Sequence, residues 1–118
     1  MSDIKTVAED VLLEIGGNPT NKGFAYIVSA MQAIDENPEL QYCIGDLYAE
    51  IAKRHNKKST MVERCIRYER EEILTFGNLK ALDKYHLYGR EKYPNGMFLT
   101  ILYLAAIKRN IGGNADAD

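Results

Sequence analysis

The sequence predicts an all-α protein, a compact bundle of about six helices that contains a helix-turn-helix. Three observations predict this class. In each long segment, apolar residues recur every three or four positions, as they do on one face of an α-helix. Short breaks rich in Gly, Asn and Pro separate these segments. No stretch alternates apolar and polar residues in the way that a half-buried strand does.

The first two helices precede the most basic part of the chain. A cap at Ser2 or Asp3 starts a helix over residues 3–15, and a glycine pair ends it. A second helix runs to about Glu36, and Pro38 breaks the chain after it. The apolar stripes of these helices consist of Val7, Val11, Leu12 and Ile15, and of Phe24, Ile27, Val28, Met31 and Ile34.

Two helical segments then meet at a short polar break. Residues 39–55 are helical in propensity, either as one helix or as two short ones, with Gly45 as the point at which a bend is easiest. Residues 56–59 form the break. Ala52 and Val62 lie on either side of it, at the spacing with which a helix-turn-helix packs its two helices together.

The second helix of this motif is predicted over about residues 60–76, with Ser59 or Thr60 as its cap. Glu63 lies where the capping-box partner of Thr60 would lie. Projection at about 100° per residue gives the helix two faces. The apolar face consists of Val62, Cys65, Ile66, Ile73 and Phe76, with Glu69 on the same side. The opposite face consists of Thr60, Arg64, Arg67 and Glu71, with Glu63 beside them.

In the C-terminal third of the chain, the sequence predicts a short helical turn over residues 79–85, a loop over residues 86–93 and a last helix. The last helix runs from about Asn95 to Asn110, where a second glycine pair ends it.

This last helix is apolar almost all round over residues 97–107. Two interpretations stay open: it is buried in the core on most sides, or its outer face forms a homodimer contact. A domain that binds paired half-sites needs some way to dimerise. We expect one domain over residues 1–112, followed by a flexible acidic tail over residues 113–118.

Charge is distributed unevenly along the chain, which has a net charge of −2. The first 50 residues carry two Lys against nine Asp and Glu, whereas residues 51–70 carry seven Lys and Arg against two Glu. A DNA duplex responds to the local field, and counterion release depends on the phosphates that are contacted. The basic segment therefore favours a nucleic-acid partner although the whole chain is acidic.

Other functional classes find little support in the sequence. No signal-peptide pattern is visible, and the longest apolar run is far shorter than the ~20 residues that a bilayer span needs, so we expect a cytoplasmic protein with no membrane partner. Cys43 and Cys65 have no metal or CxxC spacing, and we expect both to be small buried thiols. His55 and His86 belong to no catalytic or metal motif. We therefore expect no enzyme activity, no cofactor and no metal.

The polar face of the helix over residues 60–76 has the chemistry of a base reader. The planar fork of arginine can bond guanine O6 and N7 together, and glutamate can accept from cytosine N4. Glu63, Arg64 and Arg67 therefore suit a G·C-containing site in the major groove of double-stranded DNA. The side chains expected to position phosphates are Lys53, Arg54, Lys57, Lys58 and Thr60. A solvated helix face with an i,i+4 Glu–Arg pair would show the same pattern, so both interpretations stay open at this point.

Several ordered stretches resemble a known family. They are IAKRHNKKSTMVERCIRY around the break, together with residues 13–16, 22–26, 77–78 and 94–98. Over roughly residues 10–110, they resemble the C-terminal DNA-binding domain of the sporulation stage-zero master response regulator of Bacillus and Clostridium. The resemblance implies a compact helical domain that binds short DNA boxes near promoters. It also implies that Glu63, Arg64 and Arg67 are the base-reading side chains.

The chain departs from this family at a few positions. Met61 stands where the family has an arginine, and Glu69-Arg70 stands where it has Ala-Ile. Because the matching stretches begin near the start of the chain, we expect no receiver domain and no control by aspartyl phosphorylation within it. Two hypotheses follow. The chain is either a sequence-specific DNA-binding transcriptional regulator or a protein-interaction adaptor module that keeps the fold without specific DNA binding.

Overall fold

The computed structural model describes residues 3–87 and 93–116, with side chains described up to residue 110. Within these ranges there is no strand. The elements in chain order are α1 (Ile4–Glu14), α2 (Lys22–Glu36), a 3-10 helix (Pro38–Tyr42), α3 (Ile44–His55), α4 (Ser59–Phe76), α5 (Leu79–Lys84) and α6 (Asn95–Asp116). The predicted all-α bundle of six helices is therefore confirmed.

Helix α2 is the centre of the bundle. It packs against α1, α3, α4 and α6, and it buries ten of its fifteen residues, so it is covered on nearly all sides. Ile27, Met31 and Ile34 have no exposed surface. Each such side chain contributes about 1.5–3 kcal/mol to stability relative to an exposed position. The other helices are arranged around this apolar column.

The two ends of α1 are formed by local signals that the sequence shows. The Asp3 side chain caps its start, as predicted. At its end, Gly16 has a φ of 102°, and the Gly17 N–H donates to the Leu12 carbonyl oxygen at 2.7 Å. A left-handed residue followed by this bond is a common helix ending. A Cβ at Gly16 would lie 2.7 Å from the Cα of Gly77, so this position also needs glycine for space.

The polar break between α3 and α4 is a tight turn around Asn56. This residue is left-handed, with φ 55° and ψ 51°, a conformation that asparagine adopts more readily than most residues. Its N–H donates to the Lys53 carbonyl oxygen at 3.4 Å, and the Lys57 N–H donates to the Ala52 carbonyl oxygen at 2.9 Å. The two bonds complete a Schellman ending. Residues 56–58 thus join the two helices of the predicted helix-turn-helix.

The region before α3 contains two elements, and they separate at Cys43 rather than at Gly45. Cys43 lies between the 3-10 helix and α3 with φ −130° and ψ 77°, and it is exposed. Cys65 is partly exposed at the edge of α4. The prediction of two buried thiols is therefore wrong, because Cys43 belongs to neither helical stripe.

The predicted capping box at the start of α4 is also wrong. The helix begins at Ser59, and its N-cap is Lys58, which makes no side-chain cap hydrogen bond. The Glu63 carboxylate bonds Arg67 of the next turn instead of reaching back to Thr60. A charged pair on the same helix has therefore replaced the capping interaction.

The end of α4 differs from the projection as well. Phe76, predicted on the apolar face, is 77% exposed, whereas Leu74 is buried. The helix ends at Phe76, and the chain then bonds the end of α1, where the Asn78 N–H donates to the Ile15 carbonyl oxygen at 3.0 Å. Phe76 lies on the outside of this turn. The short helix α5 follows, close to its predicted position.

Helix α6 buries most of its apolar residues and exposes a narrow stripe. It continues to Asp116, past the Gly112-Gly113 pair at which the sequence predicts its end. The buried residues are Phe98, Leu99, Leu102, Tyr103, Ala105 and Ala106, and the exposed apolar ones are Met97 and Leu104. The core interpretation thus applies to most of residues 97–107.

Two predictions fall wholly or partly outside the described residues. The loop predicted over residues 86–93 includes residues 88–92, which are not described. The predicted flexible tail ends at residues 117–118, which are likewise outside the described ranges, so the domain limits stay predictions. Among the described residues, no helix combines the length and the apolarity that crossing a bilayer requires.

Candidate nucleic-acid interface

Helix α4 packs one side on the bundle and leaves the other in solvent. It contacts α2, α3 and α6 through buried Val62, Ile66 and Ile73. The contact with α2 is close, because a Cβ at Gly23 would collide with the carbonyl oxygen of Cys65. This close packing fixes which side of α4 meets the bundle, and the polar face points outward, as the projection predicts.

The outward side of α4 brings together the residues predicted to read bases. Thr60, Arg64 and Arg67 are exposed, and Glu63 is partly exposed. Arg67 Nε donates to Glu63 Oε2 at 3.0 Å. Arg64 makes no hydrogen bond or ion pair with any other described residue. Two guanidinium groups and one carboxylate therefore face solvent within two turns of one helix.

Glu63 is also held from behind by a buried amide. Asn95, the first residue of α6, is only 6% exposed. Its Nδ2 donates to the Glu63 carbonyl oxygen at 3.3 Å and to Tyr48 Oη at 2.9 Å. Its Oδ1 accepts from Arg70 Nη1 at 2.5 Å. Burial raises the pKa of the Tyr48 phenol, and the hydrogen bond with Asn95 opposes this shift.

The sequence pattern does not reveal this role of Asn95. Its only local signal is a position after Pro94 at the start of a helix. The amide becomes buried because α3, α4 and α6 converge on it, and that convergence depends on the tertiary fold.

Glu69, which the projection places on the apolar side of α4, is buried with only 1% exposure. Its Oε2 accepts from the Asn18 N–H at 2.7 Å, and its Oε1 accepts from Asn21 Nδ2 at 2.8 Å. The turn between α1 and α2 thus supplies the partners that a buried carboxylate needs. Glu69 is therefore part of the packing of α4 and not of its outward face.

The predicted phosphate-positioning residues divide into two groups. Lys53, Lys57 and Lys58 are exposed and form no ion pair within the described part of the chain. Arg54 lies between two carboxylates, 2.7 Å from Glu36 Oε1 and 2.8 Å from Glu50 Oε2. The hydrogen bond with Glu50, followed by the one with Glu36, raises the pKa of Arg54.

The histidine beside the turn is used for packing. His55 Nε2 lies 2.7 Å from Ser29 Oγ. The centres of the His55 and Tyr26 rings are 5.0 Å apart, and the rings pack edge-on. Among the described residues, no three His, Cys, Asp or Glu side chains gather as a metal-binding group.

The comparison with protein families agrees with this geometry. The model of the family described as "Sporulation initiation factor Spo0A C terminal" matches residues 8–105, which include the whole of α2, α3, the turn and α4. This family consists of DNA-binding effector domains that regulate transcription. The resemblance found in the sequence is thus confirmed, and the chain belongs to the family of Spo0A C-terminal domains.

Proposed function

We propose that this chain is a sequence-specific DNA-binding transcriptional regulator whose α4 enters the major groove as the recognition helix. One observation carries the proposal. The second helix of a helix-turn-helix presents Arg64, which pairs with no other described residue, beside the Glu63–Arg67 pair on the side of the helix that faces away from the bundle. The first half of such a helix is the part that contacts base edges in this motif.

Each side chain of this face has a distinct role in the proposal. Arg64 bonds guanine O6 and N7 with its free guanidinium group. Arg67 does the same through its two Nη groups, while its Nε keeps the contact with Glu63. Glu63 accepts from cytosine N4 or keeps Arg67 oriented. Such a set prefers a box that contains G·C pairs.

Phosphate contacts come from the turn and the start of α4. Lys53, Lys57 and Lys58 pair with no carboxylate in the part of the chain that the structure describes, so they have no ion pair to leave before they meet a phosphate. The N-terminus of α4 carries no side-chain cap, and the partial positive charge of a helix N-terminus favours a phosphate there, beside the Thr60 hydroxyl. Arg54 instead braces α3 against α2 through Glu36 and Glu50.

Selection of bound duplexes from a random pool tests the proposal directly. We expect one preferred G·C-containing box, and Arg64→Ala should weaken its binding by about 1–3 kcal/mol while relaxing preference at one base pair. Lys58→Ala, the matched control, should weaken all duplexes alike. A pool that shows no enrichment, with no retention on duplex DNA at low salt, would favour the adaptor function instead.

A homodimer on paired half-sites is a second proposal, and it rests on the outer side of α6. Met97 and Leu104 are 53% and 49% exposed and lie two turns apart on one side of the helix, with partly buried Ile101 between them. We expect Leu104→Glu to abolish dimer formation on a duplex with two boxes, measured by sedimentation. Leu13→Glu, at an exposed apolar residue of α1, is the control and should leave the dimer intact. If the two variants form dimers to the same extent, α6 is not the dimer contact.

A further inference from the structure

We propose that Asn95 is a positioning residue for the base-reading pair Glu63–Arg67. It is almost completely buried, so it acts through Glu63 and does not touch DNA itself. The inference rests on the proposed function, because it concerns the same outward face of α4. It adds that a buried residue of α6 orients the Glu63 and Arg67 side chains on this face.

The orientation of the Asn95 amide is determined by its neighbours. Arg70 can only donate, so it must face the amide oxygen, and it does so at 2.5 Å. The Glu63 carbonyl oxygen can only accept, so it must face the amide nitrogen, 3.3 Å away. The two ends of the amide are therefore not interchangeable. A carboxylate at this position would satisfy Arg70 but would repel Glu63.

The amide nitrogen lies close to both the backbone and the side chain of Glu63. It is 3.3 Å from the carbonyl oxygen and 3.5 Å from the carboxylate Oε2, the same oxygen that accepts from Arg67 Nε at 3.0 Å. A chain of contacts thus runs from the start of α6 to the guanidinium of Arg67. A reading side chain held in one arrangement loses less conformational entropy on binding.

The arrangement favours sequence preference over general affinity. The free lysines at the turn lie outside the Asn95 contacts and supply the binding that is common to all duplexes. A loosened Glu63–Arg67 pair should therefore weaken binding to the preferred box and leave binding to a scrambled duplex almost unchanged. A purely structural role of Asn95 would weaken both alike.

Asn95→Asp is the variant that tests this role with least change of shape. Aspartate in the first turn suits the dipole of a helix, so α6 itself should not be weakened. We expect affinity for the selected box to fall about tenfold, and affinity for a scrambled duplex to change less than about twofold. In a Glu63→Ala background, the same substitution should change the preference between the two duplexes little further, because the Glu63 carboxylate is absent and the contact with the residue-63 carbonyl oxygen affects both duplexes alike.

Three results would overturn the positioning role: an equal loss on both duplexes, no loss on either duplex, or a loss of preference that persists in the Glu63→Ala background. If Asn95→Asp fails to fold in a thermal scan, Tyr48→Phe decides the matter. That variant removes only the hydroxyl that accepts from Asn95 Nδ2 at 2.9 Å, and it should lower the preference about threefold. Native protein that selects no duplex would instead disprove the proposed function.

Discussion

The two halves of α4 carry similar charged residues and use them in opposite ways. Among the described residues, Arg64 in the first half has no partner, and Arg67 bonds only its neighbour Glu63 on the same helix. In the second half, Glu69 is buried against the turn between α1 and α2, and Arg70 donates to Asn95 of α6. Arg64 and Arg67 in the first half are available to a ligand, whereas Glu69 and Arg70 in the second half hold the fold.

This difference separates two kinds of departure from the family pattern. Glu69-Arg70, where the resemblance implies Ala-Ile, does not remove α4 from the bundle, because each side chain finds a partner in another element. Met61, where the resemblance implies an arginine, lies in the first half of α4 and is partly exposed. We therefore expect the second-half changes to affect stability and the first-half changes to affect DNA recognition.

The largest effect should come from the close contact that seats α4 on α2. Gly23→Ala places a Cβ against the Cys65 carbonyl oxygen and the Glu69 Cβ, neither of which can move without moving α4. We expect the free energy of unfolding to fall by about 3 kcal/mol, measured with urea. Gly45→Ala is the control: nothing lies within 4 Å of its Cβ, and it should leave stability unchanged or raise it by up to about 1 kcal/mol.

Next in size is the loss of the buried carboxylate. Glu69→Ala leaves the Asn18 N–H and the Asn21 amide without their acceptor and should lower the free energy of unfolding by about 2 kcal/mol. Glu71→Ala, at an exposed position 3.6 Å from Arg70, should change it by less than about 0.5 kcal/mol. If the free energy of unfolding fell by similar amounts in the two variants, the buried Glu69 would contribute no more to stability than the exposed Glu71.

A smaller difference should separate the two arginines of the first half. Arg67 already shares its positive charge with Glu63, whereas Arg64 has no ion-pair partner among the residues that the structure describes. Arg64→Ala should therefore cost about 1 kcal/mol more than Arg67→Ala in binding the selected box. Titrations with fluorescent duplexes would measure both, and a larger loss from Arg67→Ala would contradict this order.

The smallest effect is expected for Arg54, which behaves like the second half of α4 although it lies beside the basic turn. Because Glu36 and Glu50 already hold it, Arg54→Ala should leave the salt dependence of DNA binding unchanged. Lys58→Ala should lower the slope of log affinity against log salt by about one. If Arg54→Ala lowers this slope by the same amount, the arginine exchanges its carboxylates for a phosphate.

Much of the fold can be predicted from the sequence, because the position, faces and ends of each helix depend on residues that are close together along the chain. The period of 3.6 residues per turn assigns each residue of a helix to a face, so the outward side of α4 can be identified before any packing is known. Gly16 and Asn56 are among the residue types that adopt left-handed conformations, so the ends of α1 and α3 are also local properties. These signals predict six helices, the helix-turn-helix and the candidate base-reading face.

The tertiary structure decided which charged residues are free. Glu69 bonds Asn18 and Asn21 across about 50 positions of the chain, and Arg70 bonds Asn95 across 25. No periodicity along one helix encodes such partners, because they depend on where other helices lie. The same holds for Arg54 between two carboxylates. Position on a helix face is local, but desolvation and pairing are properties of the assembled bundle.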